Sequence, residues 1–266
     1  MLEYFSYSRL STFKQCPAQF KIRYLDGIVN KDESIEAFVG KRVHEVLEYL
    51  YNKRKDESIT PIIDELFEVY HTLWKDNWHE RIAIFRRELN WEYYLALGEK
   101  CIAWYYRTYY PFVEPVIGVE QSFDFELEDG FRFIGFIDRV DKTNEGKITI
   151  HDYKTGKRAL AQKQADNDLQ LSIYQFAIEN EYSTETDVSL VWHFLQAGSR
   201  VESQRSDVQK LKHKQDIIKR AKSIKSHIAN GQVFEAKESM LCNWCYYWKE
   251  CPSKYTANPY SGRKYT

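Results

Sequence analysis

The sequence predicts a single α/β domain, a central mixed sheet flanked by helices, and three observations carry that reading. Up to about residue 110 apolar side chains recur at helical spacing; beyond Pro111 and Pro115 the period falls towards two; the last third returns to helix, strand and helix. A chain of 266 residues with 43% hydrophobic side chains can bury one sizeable core. Its 15 Phe, 7 Trp and 20 Tyr separate it from disordered chains, which are poor in aromatics.

Residues 8–25 read as a helix entered through Ser8 or Ser11. A second spans 40–51, with Val43, Val46, Leu47 and Leu50 on one stripe and the charged stretch Asn30 to Glu36 before it. From Pro61 to Tyr110 the pattern stays helical, with Leu66, Val69, Tyr70, Leu73 and Trp74 on one face, so residues 52–110 read as a helical insertion. Val116 to Leu127, Phe131 to Asp141 and Lys147 to Lys154 then form an antiparallel meander, turning at Glu128-Asp129-Gly130 and at 143–146. A helix from Asp168 to Asn180, an apolar strand from Val188 to Leu195 and a helix opened by Ser206 complete the chain. In the last, Gln209 occupies the capping-box position, and Leu211, Ile218, Ala221, Ile224 and Ile228 form the apolar side.

The net charge of −1 conceals an uneven split. Residues 1–133 carry 17 Lys/Arg against 23 Asp/Glu, and residues 134–266 carry 21 against 16. The basic half could attract phosphate, although scatter explains the split nearly as well. No uncharged apolar run approaches the roughly 20 residues that cross a bilayer, and MLEYFS at the start lacks a secretory pattern, so a cytoplasmic protein without membrane contact is expected.

The most informative stretch is GFIDRVDKTNEGKITIHDYKTGK, residues 135–157. Strand alternation puts Ile148, Ile150, Asp152 and Lys154 on one face, and Ile134, Phe136, Asp138 and Val140 on one face of the preceding strand. If the hairpin turns about residue 145, Asp138 lies opposite Asp152, with Cβ atoms about 5 Å apart. Two close carboxylates facing a core are costly without a cation, and oxygen ligands suit Mg²⁺ or Mn²⁺. Such an ion can hold a phosphate oxygen and acidify a water, while Lys154 stabilises charge developing on phosphorus: the chemistry of phosphodiester hydrolysis. A lone Asp-x-Lys is more often a surface pair; the second carboxylate in register lifts this one. Glu120 reads as an exposed acid at a strand end, with reach to a second metal as the weaker alternative. Gln170 and Tyr174 share a helix face and could meet a nucleotide by hydrogen bond and stacking.

These residues resemble the PD-(D/E)xK nuclease superfamily, in its RecB-like branch. The resemblance rests on G135-F-I-D138 followed by D152-Y-K154-T-G156, with G40-K-R-V-H44 upstream and Q170-L-S-I-Y174 downstream, and it spans most of the chain. Ile137 stands where the family name has Pro, and Asp152 where many members have Glu; neither removes a needed oxygen. The resemblance implies a restriction-endonuclease-like core, with His44, Asp138, Asp152 and the Tyr153 backbone carbonyl as metal ligands and Lys154 as the catalytic amine. His44 alone, beside an apolar stripe, would read as a structural histidine.

Five cysteines occur. Cys242, Cys245 and Cys251, with Pro252 after the last, suit a thiolate site for iron–sulfur or zinc, which spacing alone does not separate. Cys16-Pro17 within SRLSTFKQCP supplies a fourth thiol, and the set looks like the iron–sulfur staple of RecB-like nucleases, which implies [4Fe–4S] over zinc. Such a staple over residues 231–266 would join the two ends of one nuclease domain spanning 1–266. Cys101 reads as a small buried hydrophobe.

The expected function is a Mg²⁺/Mn²⁺-dependent deoxyribonuclease, an exonuclease on single strands or DNA ends. By resemblance it would serve DNA repair, recombination or CRISPR-type processing, beside helicase or CRISPR-adaptation partners and with a homo-oligomer open. The rivals are a cluster-stapled nucleic-acid-binding module and a sequence-specific endonuclease. The sequence contains no GxxxxGK[ST] phosphate loop, so unwinding would come from a partner.

Overall fold

Ser6 opens the first helix by accepting the Arg9 amide, and α1 (Tyr7–Gln15) ends where Pro17 drives the preceding Cys16 into extended backbone (φ −156°, ψ 105°). The helix expected over 8–25 is therefore broken. A short α2 (Pro17–Phe20) and a π-turn over Lys21–Leu25 follow the break. The computed structural model describes residues 2–86, 88–182, 187–239, 241–242 and 245–253; the rest of the expected staple segment, residues 254–266, lies outside them.

The charged stretch before the second helix is its entry. Ser34, in the two-residue strand β1 (Glu33–Ser34), accepts the Ala37 amide at 3.2 Å, so α3 runs over Ile35–Glu57, longer than the apolar stripe alone indicates. After α4 (Ile63–Asn77), β2 (Ile82–Ala83) pairs with β1 in parallel, and α5 (Trp91–Tyr109) closes the layer. Leu66, Tyr70 and Trp74 of α4 are buried with Val43, Leu47 and Leu50 of α3 and with Tyr105 of α5. Gly98 makes this approach feasible: a Cβ there would lie 1.9 Å from the Tyr70 hydroxyl.

The five-stranded sheet runs in chain order: β3 (Val116–Leu127), β4 (Phe131–Lys142), β5 (Ile148–Lys154), β6 (Val188–Phe194) and β7 (Ser199–Gln204). All neighbours are antiparallel except β5 and β6, whose parallel pairing is made by a crossover through α6 (Gln162–Ala165) and α7 (Leu169–Tyr182). Strand β7, SRVESQ, is a polar edge strand that carries little apolar signal. The capping box at Ser206 and Gln209 starts α8 (Asp207–Ala229) as the spacing predicts. Leu211 departs from its predicted apolar side: it is exposed, while His213 and Ile217 turn inward, His213 Nδ1 lying 2.9 Å from Ser172 Oγ.

Helices α3 to α5 cover one face of the sheet, and α1, α7 and α8 cover the other. Strand β5 is buried on both sides: Ile148 and Ile150 pack towards α7, and Tyr153 towards α3 and α5. On the Tyr153 side sits a buried polar network. The Arg139 guanidinium donates to Tyr105 Oη at 2.7 Å, to Asp141 Oδ2 at 3.0 Å and to the His151 ring at 3.0 Å; the His151 ring in turn contacts His193 at 2.9 Å. The two ends of the described chain also meet. Phe20 stacks on Phe234 at 6.3 Å, and the Ala18 amide donates to Glu235 O at 3.2 Å.

Candidate functional site

The β4–β5 ladder pairs Lys142 with Ile148, Asp141 with Thr149, Val140 with Ile150 and Arg139 with His151. That register places Asp138 across from Asp152, as a turn about residue 145 predicts. Beyond Arg139 and His151 the pairing changes character. The Tyr153 amide donates to Asp138 Oδ2 at 2.7 Å. A side-chain carboxylate thus stands at the point where the two strands part.

His44 reaches this point from α3. Its Nε2 lies 2.9 Å from the Tyr153 carbonyl oxygen, and its Nδ1 lies 3.6 Å from Asp138 Oδ2. From the other side, Lys154 Nζ lies 2.7 Å from Asp152 Oδ2 and donates to Gln170 Oε1 at 3.1 Å, while Gln170 Nε2 donates to Tyr174 Oη at 2.8 Å. All the expected site residues of the hairpin and its flanking helices therefore lie together. Tyr174 is 8% exposed, its ring packs 5.6 Å from Phe123, and its hydroxyl accepts from Gln170.

Glu120 is the residue that sequence reasoning undervalued. It is half-buried, and the pairs Val119–Arg139 and Gln121–Ile137 place it across from Asp138 on β3. Reflection about the Asp129 turn, the same argument that paired Asp138 with Asp152, would have found it. Its φ of +44° is left-handed, a strained conformation for a non-glycine residue, just beyond the register shift between Val116 and Gly118. Ligand atoms of His44, Glu120 and Asp138 all lie within 4.8 Å of one another.

The electrostatics are those of crowded acids. Burial, then the neighbouring Asp152 carboxylate, pushes Asp138 up to about 8. Burial and Asp138 push Glu120 up to about 7. Burial holds the His44 imidazole below its ordinary value, favouring the neutral ring that ligates metals. Burial disfavours the Lys154 ammonium, but Asp152 more than offsets this and the amine stays protonated. Two carboxylates that resist ionisation, a neutral imidazole and a carbonyl oxygen converging on one point fit a hard divalent cation.

The four cysteines of the expected staple are all free thiols of intermediate exposure. Burial pushes the Cys245 thiol up, and Cys16, Cys251 and Cys242 add to the shift, so the four share one neighbourhood. The Ser239 amide points at Cys242 Sγ at 3.4 Å and the Lys237 amide at Cys16 Sγ at 3.5 Å. Cys101 is separate, on the buried side of α5, and burial pushes its thiol up to about 12.

Known proteins share much of this chain. The sequence model of the PD-(D/E)XK nuclease superfamily matches residues 4–252. The chain is 25% identical over 133 residues to one of the subunits of the ATP-dependent helicase/deoxyribonuclease of Streptococcus agalactiae, in both serotype Ia and serotype V strains. The match covers 49% of this chain and 12% of each relative, so the chain corresponds to a small part of those proteins. Among solved structures, a "Putative exonuclease" from Eubacterium rectale shares the fold, with a TM-score of 0.53 at 16% identity over 92% of this chain and 88% of that one.

Proposed function

The chain belongs to the PD-(D/E)XK nuclease superfamily and has its restriction-endonuclease-like α/β fold, and on that premise we propose that it is a Mg²⁺- or Mn²⁺-dependent deoxyribonuclease. The observation that carries the reading is the convergence of His44, Glu120 and Asp138 beside the Asp152–Lys154 pair. In this reading His44, Glu120, Asp138, Asp152 and the Tyr153 carbonyl hold the cation. When bound, the cation supplies Lewis-acid polarisation of the phosphodiester and a more acidic water. Lys154, held by Asp152 and Gln170, remains an ammonium and stabilises the negative charge that grows on the phosphoryl oxygens as the water adds. Tyr174 fixes Gln170, and Gln170 fixes the amine.

The reading extends to substrate and pathway. We take single-stranded DNA or DNA ends as the substrate, cut exonucleolytically, in repair, recombination or CRISPR-type processing. The curated relatives are named as parts of a helicase/deoxyribonuclease, which supports a helicase partner. We also propose that Cys16, Cys242, Cys245 and Cys251 hold a [4Fe–4S] cluster. What supports a shared site is that Cys16, Cys251 and Cys242 all act on the Cys245 thiol; the choice of iron–sulfur over zinc rests on the resemblance to RecB-like nucleases.

The test uses anaerobically purified protein with 5′- and 3′-labelled single-stranded and duplex DNA and a closed circle, each with Mg²⁺, Mn²⁺ or chelator. Metal-dependent loss of linear DNA alone is the expected result. Binding without cleavage under every metal would make the chain a nucleic-acid-binding module, and cutting of the circle at fixed sites would make it an endonuclease.

A further inference from the structure

Beside the proposed site lies a cavity of about 260 Å³, enclosed between α3, α5 and the loops that follow β5 and β6. Its inner wall is apolar: Val39 and Cys101 are almost fully buried, and Leu97 lies beside them. Tyr94, 2% exposed, stands edge-on to the more exposed Tyr93 at 5.3 Å, and its hydroxyl donates to Glu36 Oε1 at 3.1 Å. The mouth carries Arg86 and Lys157, and neither side chain is engaged in a hydrogen bond or ion pair among the described residues. The volume falls below the roughly 300–1,000 Å³ of ordinary small-molecule sites, which sizes it for a fragment such as one planar ring system.

Its position is set by the elements that build the proposed site. Thr155, Gly156 and Lys157 of the lining directly follow Lys154. Val39 precedes His44 by five residues on α3, about 7.5 Å along the helix at 1.5 Å per residue, within reach of a nucleotide or two of an extended strand. An apolar slot with an exposed aromatic edge, a hydrogen-bonding carboxylate and two available cations at its mouth matches one chemical class closely. A nucleotide carries a flat π-face, amino and carbonyl edges, and an anionic phosphate.

We propose that this cavity receives one unstacked base of a single-stranded nucleic acid, next to the phosphate that is cut. The base stacks on Tyr93, Glu36 accepts from its exocyclic amino edge, and Lys157 and Arg86 hold the flanking phosphate. Buried Cys101 forms the floor and takes no chemical part. This inference rests on the nuclease reading for its neighbour but not for its chemistry.

The test walks 2-aminopurine through a single-stranded oligonucleotide bound to the full chain in Ca²⁺. One position should change fluorescence on binding, and Tyr93→Ala should abolish that change and weaken binding about 5- to 150-fold, the range of stacking one base on an aromatic ring. Lys157→Ala should reduce the slope of log affinity against log salt by about one phosphate contact. The proposal is overturned if no position responds, or if the response persists unchanged in Tyr93→Ala. Cleavage of unmodified DNA by wild-type protein in Mn²⁺ is measured in parallel. Cleavage without a Tyr93-dependent signal defeats the pocket and leaves the nuclease; the signal without cleavage does the reverse.

Discussion

Asp138 Oδ2 accepts the Tyr153 amide at 2.7 Å, so a side-chain carboxylate serves where the ladder would otherwise use a backbone carbonyl. The bond fixes the distance between β4 and β5 at the point where they separate. It also anchors the Tyr153 backbone, whose own carbonyl faces His44. The amide and carbonyl of one residue thus tie the positions of an acid and an imidazole that come from elements nearly a hundred residues apart.

Lys154→Ala should leave metal binding largely intact and lower the cleavage rate by about 10²- to 10³-fold, the usual loss for one electrostatic donor at a developing oxyanion. Single-turnover cleavage alongside Mn²⁺ titration measures both. Cleavage that survives the substitution would remove Lys154 from the mechanism.

Glu120→Gln should weaken Mn²⁺ binding at least about tenfold while the protein stays folded. The residue is half-buried and, in the proposed reading, its carboxylate is a ligand. Calorimetric titration of the variant decides this, and an unchanged affinity would return Glu120 to the role of a strained strand residue.

Asp138 and Glu120 have folded pKa values raised to about 8 and about 7, through burial and neighbouring acids. A raised carboxyl binds its proton more tightly in the folded state, so its contribution is full below the unfolded value and is lost as pH rises through the folded one. The contribution of these two carboxyls to the stability of the metal-free protein should therefore be lost progressively from about pH 4 to about pH 8, against the opposite contribution of the buried histidines, whose pKa values are lowered. Stabilisation by added Mn²⁺ should grow towards the upper end of that interval, where the ligands ionise. Asp138→Asn should flatten the metal-free slope, which differential scanning calorimetry reads directly.

Arg139→Ala should cost about 3–5 kcal/mol of stability, the range for leaving one half of a buried charged pair, because Asp141 would keep its burial and lose its charged partner, retaining only the His151 ring at 3.0 Å. Urea unfolding of both proteins tests this. A loss below about 1 kcal/mol would mean that water or a rotated side chain replaces the guanidinium.

Cys245→Ser should remove visible absorption from the anaerobic protein and expose the junction of the chain ends to protease, while the β4–β5 hairpin persists. Near-stoichiometric zinc in wild-type protein would reject the iron–sulfur assignment.

Much of this architecture was legible because the governing rules are local. Alternation and a turn about residue 145 were enough to place Asp138 across from Asp152, and Ser206 with Gln209 announced α8. Long-range decisions were less legible. Tyr174 looked available on a helix face, but Phe123 from another element covers its ring. Glu120 looked like a strand end because a bulge and a left-handed residue leave no mark in hydropathy. Strand β7 owes its existence to pairing with β6 rather than to its own composition.

The stacking of Phe20 on Phe234 imposes a timetable on biosynthesis. The two rings are separated by 214 residues, so at about 5–20 residues per second the earlier ring waits on the order of 10–40 s for its neighbour to be made. During that interval the amino-terminal helices have only β3 and β4 to pack on, through Phe125, Leu127, Phe131 and Phe133, which share a cluster with Leu10 and Phe20.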